Sequence, residues 1–353
     1  MKLISSLYYS GGMGGGTGTY GRITTLDANG VTDAGTKESN NYKFYYGPSP
    51  WVRDWNSLIA MNSTDGDTLY AYKQTFAREG RESIGILRNS NNRQWTIGAL
   101  SKLNYDLNSN LKVQVGLDWR TAQIYHVKTI RDLLGGEYFV NTDSDFDSEN
   151  QRKGLGDPID YNFTNYVNWL GFFAQGNYTA GDLTAFGMAG LTTVKYTHWN
   201  HFKAASNYDY SYVSAKDGSG ADWVEGNGDA TGGNADDLFI EADPISTYQF
   251  KAGVHYNLGG AISFLSAIPV FGKTYENAAL WGNFGVAQKP PIFDQVIQDW
   301  DAKMSSDPIN ENFTGFEFGL DVYSNDGTMA GNINFYSMTW GDRVQTKYVQ
   351  NLD

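Results

Sequence analysis

The stretch Phe313–Thr339, FTGFEFGLDVYSNDGTMAGNINFYSMT, is built on a period of two. Phe316, Phe318, Leu320 and Val322 fall on one face of an extended segment, and Glu317, Gly319, Asp321 and Tyr323 on the other. Successive side chains of a strand point to opposite faces, so this is a strand with one apolar and one polar side. Asn325-Asp326-Gly327 supplies tight-turn residues, including a glycine able to take positive φ. In the returning strand, Met329–Met338, Ile333 and Phe335 alternate with Asn332 and Asn334. The unit is a hairpin with an oily face and a wet face, and the open point is whether the oil meets a protein core or a lipid bilayer.

The same pattern recurs upstream. From Arg93, the residues Trp95, Ile97, Ala99, Leu103 and Tyr105 alternate with Gln94, Thr96, Gly98, Lys102 and Asn104. After Asn108-Ser109-Asn110, Leu111, Val113, Val115, Leu117 and Trp119 alternate with Lys112, Gln114, Gly116, Asp118 and Arg120. Strands are expected at Tyr166–Thr179 and at Leu183–Tyr196, with Phe186 and Met188 breaking the alternation, and then at Tyr248–Tyr256 and Tyr275–Ala287. With a first strand at Lys2–Ser10, about nine strands result, several longer than the usual five or six residues of a globular strand. The cluster Gly11–Gly16 reads as a loop, since no Lys-Ser/Thr follows it to make a phosphate cradle.

Composition agrees. Aromatics make up 15%, with 24 Tyr, 19 Phe and 10 Trp, there are 41 Gly, and only 18% of residues are charged. Tyr and Phe favour strands, and glycine disfavours long helices. No cysteine is present, which excludes disulfides and thiolate-bound metals. The net charge of −13 argues against a nucleic-acid partner, because phosphate binding needs a basic surface. No run approaches a membrane-spanning helix, and the mean hydropathy is −0.46. Alternating barrel strands average out in the same way. Ser5, Ser6, Tyr8 and Tyr9 interrupt any apolar stretch of a signal peptide after Met1.

Long connections near 10–92, 135–165, 198–247 and 288–312 alternate with short ones at 108–110, 180–182, 258–273 and 325–328. Consecutive hairpins would place every short turn at one end of the sheet and every long loop at the other, the layout of an outer-membrane barrel. Frequent aromatics near strand ends (Trp95, Tyr105, Trp119, Trp169, Tyr178, Tyr196, Tyr248, Tyr256, Trp281 and Trp340) suit interfacial girdles. The predicted fold is therefore an all-β, antiparallel transmembrane β-barrel in partial form. An odd strand count leaves it incomplete, since bacterial single-chain barrels close with an even number. The expected lipid-facing residues are Leu111, Val113, Val115, Leu117, Phe250, Val254, Phe316, Phe318 and Leu320.

The late hairpin, Thr314–Leu320 with Gly331–Tyr336 and Trp340-Gly341-Asp342-Arg343, resembles that of TonB-dependent outer-membrane receptors, and Leu3–Gly16 looks like a strand-to-loop junction in members of that family from Bacteroidetes-like bacteria. The segment Gln288–Asp294, QKPPIFD, is similar to the Pro-Pro segment that precedes it there, and Asn165–Gly190 resembles an earlier hairpin of the same family. The resemblance implies a barrel of roughly 22 strands, an N-terminal plug, and coupling to TonB through that plug region. It also implies uptake of a scarce small nutrient (siderophore, cobalamin or glycan) across the outer membrane of a Gram-negative bacterium, with a surface lipoprotein lid as a further partner. This chain shows no plug or TonB box, so it reads as a barrel fragment, with no enzymatic activity and no cofactor expected. The alternative is a secreted carbohydrate-binding or glycoside-acting β-sandwich domain.

Ligand contacts are expected from loop aromatics: Trp51 and Trp55, on a short helix near Ser49–Met61, and Tyr208, Tyr210 and Trp223. His198 and His201 lie three apart with no third ligand, which favours a structural role. Asp236 and Asp237 in the acidic loop 217–243 are the candidate metal ligands for Ca²⁺, although the order of an EF-hand is missing.

Overall fold

A computed structural model describes residues 1–22, 24–26, 32–34, 55–66, 68–71, 74–204, 237–259, 275–299, 303–305 and 307–343. The protein is built on one antiparallel sheet. Its strands are β1 (Lys2–Gly21), β2 (Gly85–Asp106), β3 (Leu111–Asp132), β4 (Pro158–Ala180), β5 (Leu183–Ala204), β6 (Asp237–Glu241), β7 (Ile245–Asn257), β8 (Tyr275–Lys289), β9 (Glu311–Ser324) and β10 (Ala330–Gly341). Spatial order follows chain order, β1-β2-β3-β4-β5-β7-β8-β9-β10, and the short β6 pairs with the far end of β5. The expected all-β antiparallel class holds. The sheet does not close into a barrel: among the described residues β1 pairs only with β2, and β10 only with β9.

Several strands run further than the alternation suggests. β2 begins at Gly85 rather than Arg93, and β4 begins at Pro158, inside the expected loop 135–165. The glycine cluster is a correction of another kind. Gly11–Gly16 is not a loop but mid-strand, in register from Gly11 opposite Trp95 to Gly16 opposite Ser90. A Cβ on Gly15 would collide with the carbonyl oxygen of Ser90, whereas one on Gly14 would meet open space. Gly15→Ala should therefore cost about 1–3 kcal/mol by overpacking against rigid backbone. Gly14→Ala should gain up to about 1 kcal/mol by restricting the unfolded chain. Denaturant midpoints of the two variants, measured side by side, check the opposite signs.

The break in alternation at Phe186 also has a structural cause. Tyr8, Phe173, Phe186 and Trp281 sit directly opposite Gly98, Gly116, Gly253 and Gly319 on neighbouring strands. In each case the ring occupies the space that a Cβ on the glycine would need. Large rings on the polar face are thus accommodated by glycines across the ladder, as in aromatic rescue of strand glycines.

Packing differs between the two ends of the sheet. Near the long connections, Val194, Tyr196, Leu238, Ile240, Ala242, Val296 and Ile297 form a buried cluster, with Phe293 and Met304 packed against it. A second cluster joins Ile86, Ile130, Leu133, Phe139 and Ile159, flanked by Tyr20. Near the short turns no second layer covers the sheet among the described residues.

Helix α1 (Trp55–Ser63) lies close to the helix expected at Ser49–Met61 but buries a different face. Leu58 and Asn62, one turn apart, are fully buried, while Trp55 and Ile59 are exposed. The Nδ2 of Asn62 donates to the carbonyls of Gly85, Leu133 and Leu134 at 3.0, 3.1 and 3.1 Å. Its Oδ1 accepts from the N–H of Ile84 at 3.0 Å. One side chain thus ties the start of β2 to the chain leaving β3.

Candidate functional site

Directly opposed residues in an antiparallel sheet share a face, so the register assigns faces across the whole sheet. One continuous row runs Leu103, Val115, Ala174, Ala189, Phe250, Val286. Another runs from Phe284 to Phe316, and a third from Leu280 through Leu320 to Ile333. All nine expected lipid-facing residues lie on this apolar face. Val115, Phe250, Val254, Phe316 and Phe318 are exposed, as are Leu170, Phe172, Leu191, Phe284, Ile333 and Phe335. Val254 retains 55% and Phe335 59% of full exposure, values that a buried sandwich core would not leave.

The apolar zone has a definite height. It runs from Leu111 to Trp119 on β3, opposite Tyr178 to Leu170 on β4, and from Leu183 to Leu191 on β5, opposite Tyr256 to Tyr248 on β7, with a two-residue stagger between β4 and β5. That is roughly nine residues per strand, the length of a tilted transmembrane β-strand. Beyond it the same face turns polar. Thr121 bonds Asn168 at 2.8 Å, Thr193 bonds Ser246 at 3.1 Å, and Lys195 pairs with Glu241.

Of the expected girdle aromatics, Trp95, Tyr105, Trp119, Tyr178, Tyr248 and Tyr256 share the apolar face. Trp169, Tyr196, Trp281 and Trp340 do not, and this is a correction. Tyr196 belongs to the first buried cluster and half-buried Trp169 packs against it, Trp281 covers Gly319, and Trp340 stacks on Phe313 at 5.2 Å. Strand-end position alone does not report which face a ring takes.

The opposite face is rich in amides and balanced charges near the short turns. Gln114 donates to Asn104 at 2.6 Å, and Arg120 grips Asp118 through two hydrogen bonds at 2.9 and 2.5 Å. Glu317 accepts from Asn334 at 2.9 Å and from Asn283 at 3.3 Å. Beside Glu317, the paired glycines Gly285 and Gly315 leave a slot of about 510 Å³.

At the far end of the sheet, carboxylates of the connection after β3 and the start of β4 are paired with lysines of that connection and of β3 and β5. Lys203 pairs with Asp145 at 3.2 Å and Lys153 with Asp147 at 2.8 Å, while buried Lys128 contacts Asp160. Lys128 also lies over the rings of Tyr20 and Tyr161 at 5.3 and 5.0 Å. Burial raises the Tyr20 hydroxyl above the ordinary tyrosine range, and the nearby Asp143 and Asp160 carboxylates add to this.

His198 and His201 are in a strand, where a spacing of three sends them to opposite faces. They therefore share no ligand. His198 is fully buried, with Nδ1 2.7 Å from Asn165 Oδ1 and Nε2 3.5 Å from Asn200 Nδ2. His201 bonds Thr164 Oγ1 at 2.9 Å through Nε2 and Asp237 Oδ2 at 3.0 Å through Nδ1. This Thr-His-Asp chain has the connectivity of a nucleophilic triad. Thr164, however, is 3% exposed and paired with Trp199 and Tyr125 on both sides. Ladder pairing takes up the backbone amides that an oxyanion hole would need, so the chain is structural.

The candidate ligand aromatics Trp51, Tyr208, Tyr210 and Trp223 lie outside the described residues, as does Asp236. Trp55 stands exposed at the start of α1. Asp237 is engaged by His201, and no group of three metal-ligating side chains exists among the described residues.

The fold and its two faces define a class: a sequential antiparallel β-sheet whose apolar side is uncovered among the described residues. A scan against protein-family models and a search of curated proteins both find no match for this sequence.

Proposed function

We propose that this chain is part of the β-barrel of an outer-membrane active transporter of the TonB-dependent kind, taking up a scarce nutrient. The observation that carries the reading is the apolar zone, about nine residues long on β3, β4, β5 and β7, continued on β8 and β9, and uncovered by any other layer of the described chain. Large contiguous apolar patches on a protein surface mark contact with membrane or partner, and lipid fits a patch that wraps a whole sheet. A secreted β-sandwich would bury the faces of Leu111–Trp119 and Tyr248–Tyr256, yet Val115, Trp119, Phe250 and Val254 are exposed.

The strand count supports closure by further strands. β1 and β10 run in the same direction, because every step between them is antiparallel. All-antiparallel closure then needs an odd number of additional strands, giving an even total. An open edge in hydrocarbon is not tolerated, so those strands accompany the chain in the membrane. Energy coupling through TonB and a plug in the lumen belong to the same reading.

The absence of native cysteine makes the test direct. Single cysteines at Val115, Val254 and Phe318 should react with a lipid-soluble maleimide in cell envelopes and resist a membrane-impermeant one. Cysteines at Glu149 and Asn325, in the connections at the two ends of the sheet, should show the reverse preference. Equal reaction of the apolar-face positions with the impermeant reagent would falsify the membrane reading.

A further inference from the structure

The slot on the polar face has a chemistry of its own. Its floor is the pair Gly285 and Gly315, directly opposed on β8 and β9. Phe313, Tyr336 and Met338 supply apolar walls, while Lys251, Asn283 and Glu317 line the rest. The carboxylate of Glu317 takes one N–H each from Asn283 and Asn334, which fixes the orientation of both amides. Each amide keeps a second N–H and a carbonyl oxygen for other partners. An array presenting donors and acceptors side by side suits hydroxyl groups, which are themselves both. The single positive and single negative side chain give no net bias towards an ionic ligand. Tyr336 is 78% exposed, so its ring is available for stacking on the C–H face of a saturated ring.

We propose that the slot over Gly285 and Gly315 binds one pyranose ring of a neutral glycan. Gly315 lets the ring approach the sheet backbone, the aromatic wall takes its apolar face, and Asn283 and Glu317 take its hydroxyls, with Asn334 outside the slot holding the Glu317 carboxylate in place. As a step in uptake this rests on the transporter reading, in which the polar face lines the lumen. Binding at the slot can be tested without it.

The full chain in detergent would be titrated calorimetrically with maltohexaose, cellohexaose, chitohexaose and mannohexaose. At least one should bind, and Tyr336→Ala should weaken it at least about tenfold, a loss of about 1.4 kcal/mol. Gly315→Leu should abolish it by filling the slot. A Cβ at 315 meets only ordinary contacts, Ser337 O at 3.5 Å and Met338 Cε at 3.9 Å, so this variant should fold and keep its circular dichroism spectrum. Binding by none of the four, or binding that survives Gly315→Leu unchanged, overturns the proposal. A glycan-binding chain whose apolar face labels as water-exposed would leave the slot standing and remove the transporter.

Discussion

Asn62→Ala is expected to destabilise the region joining α1, β2 and β3 by roughly 2–4 kcal/mol: two N–H groups shared among three carbonyls and one accepted N–H are lost, while the Leu133 carbonyl keeps the Ser83 hydroxyl at 2.7 Å. Asn62 is fully buried and serves three carbonyls and one N–H. Alanine leaves the carbonyls of Gly85, Leu133 and Leu134 and the N–H of Ile84 without that partner, in a place where Leu58 and Leu134 exclude water. Asn62→Asp should be damaging as well, because it keeps the acceptor but turns a second anionic oxygen towards the carbonyls. Hydrogen exchange of the Ile84 amide reads the effect locally, and it should accelerate by at least about a hundredfold if 3 kcal/mol is lost. Asn56→Ala, on an exposed part of the same helix, should leave that rate unchanged within about twofold, since surface substitutions usually stay within about 0.5 kcal/mol.

The second large effect is a pH dependence centred on His198. Burial holds its imidazole well below the ordinary histidine range, at about 3, and the neighbouring His201 and His126 push the same way. His198 lies on β5 beyond the apolar zone, at the long-connection end. It contacts Asn165, Asn200 and the ring of Phe163 at 5.2 Å, and Asn165 in turn donates to Asp299 at 3.1 Å. The sign follows from linkage. Between pH 6.5 and about 3 the unfolded chain protonates this histidine and the folded chain does not, so the unfolded state binds more protons and stability rises with pH. Above pH 6.5 the contribution is flat. As pH falls through the window the loss grows to about 4–5 kcal/mol, at about 1.4 kcal/mol per unit. His198→Gln keeps an uncharged hydrogen-bonding group and should flatten this limb of the stability profile. Denaturant midpoints from pH 4 to 8 for both proteins provide the test, and parallel profiles would show that another group dominates the acid response.

These two sites were invisible in the sequence for a simple reason. Asn62 looks like any polar residue in a helix of mixed character, and only the approach of β2 and β3 turns it into a four-way connector. His198 and His201 read as a loose pair in a loop. Extension of β5 to Ala204 puts them on opposite faces, one in a dry core and one in a relay with Thr164 and Asp237.

The alternation did fix other things by itself. In Leu111–Trp119, Tyr248–Tyr256 and Phe316–Val322, a period of two admits only strands with one apolar face, and the short turns between hairpins admit only antiparallel neighbours. The expected lipid-facing residues consequently share one face, because directly opposed side chains point the same way. What local pattern does not encode is cross-strand register. Register places Gly11–Gly16 within a ladder, seats Phe186 and Trp281 on glycines of the next strand, and sends Tyr196 into a core, and Trp169 against it, rather than to a girdle. It also brings Gly285 beside Gly315, near Lys251, Asn283 and Glu317, and so creates the slot. Alternation depends on the two neighbours of each residue along the chain, whereas these contacts depend on the residue one strand away.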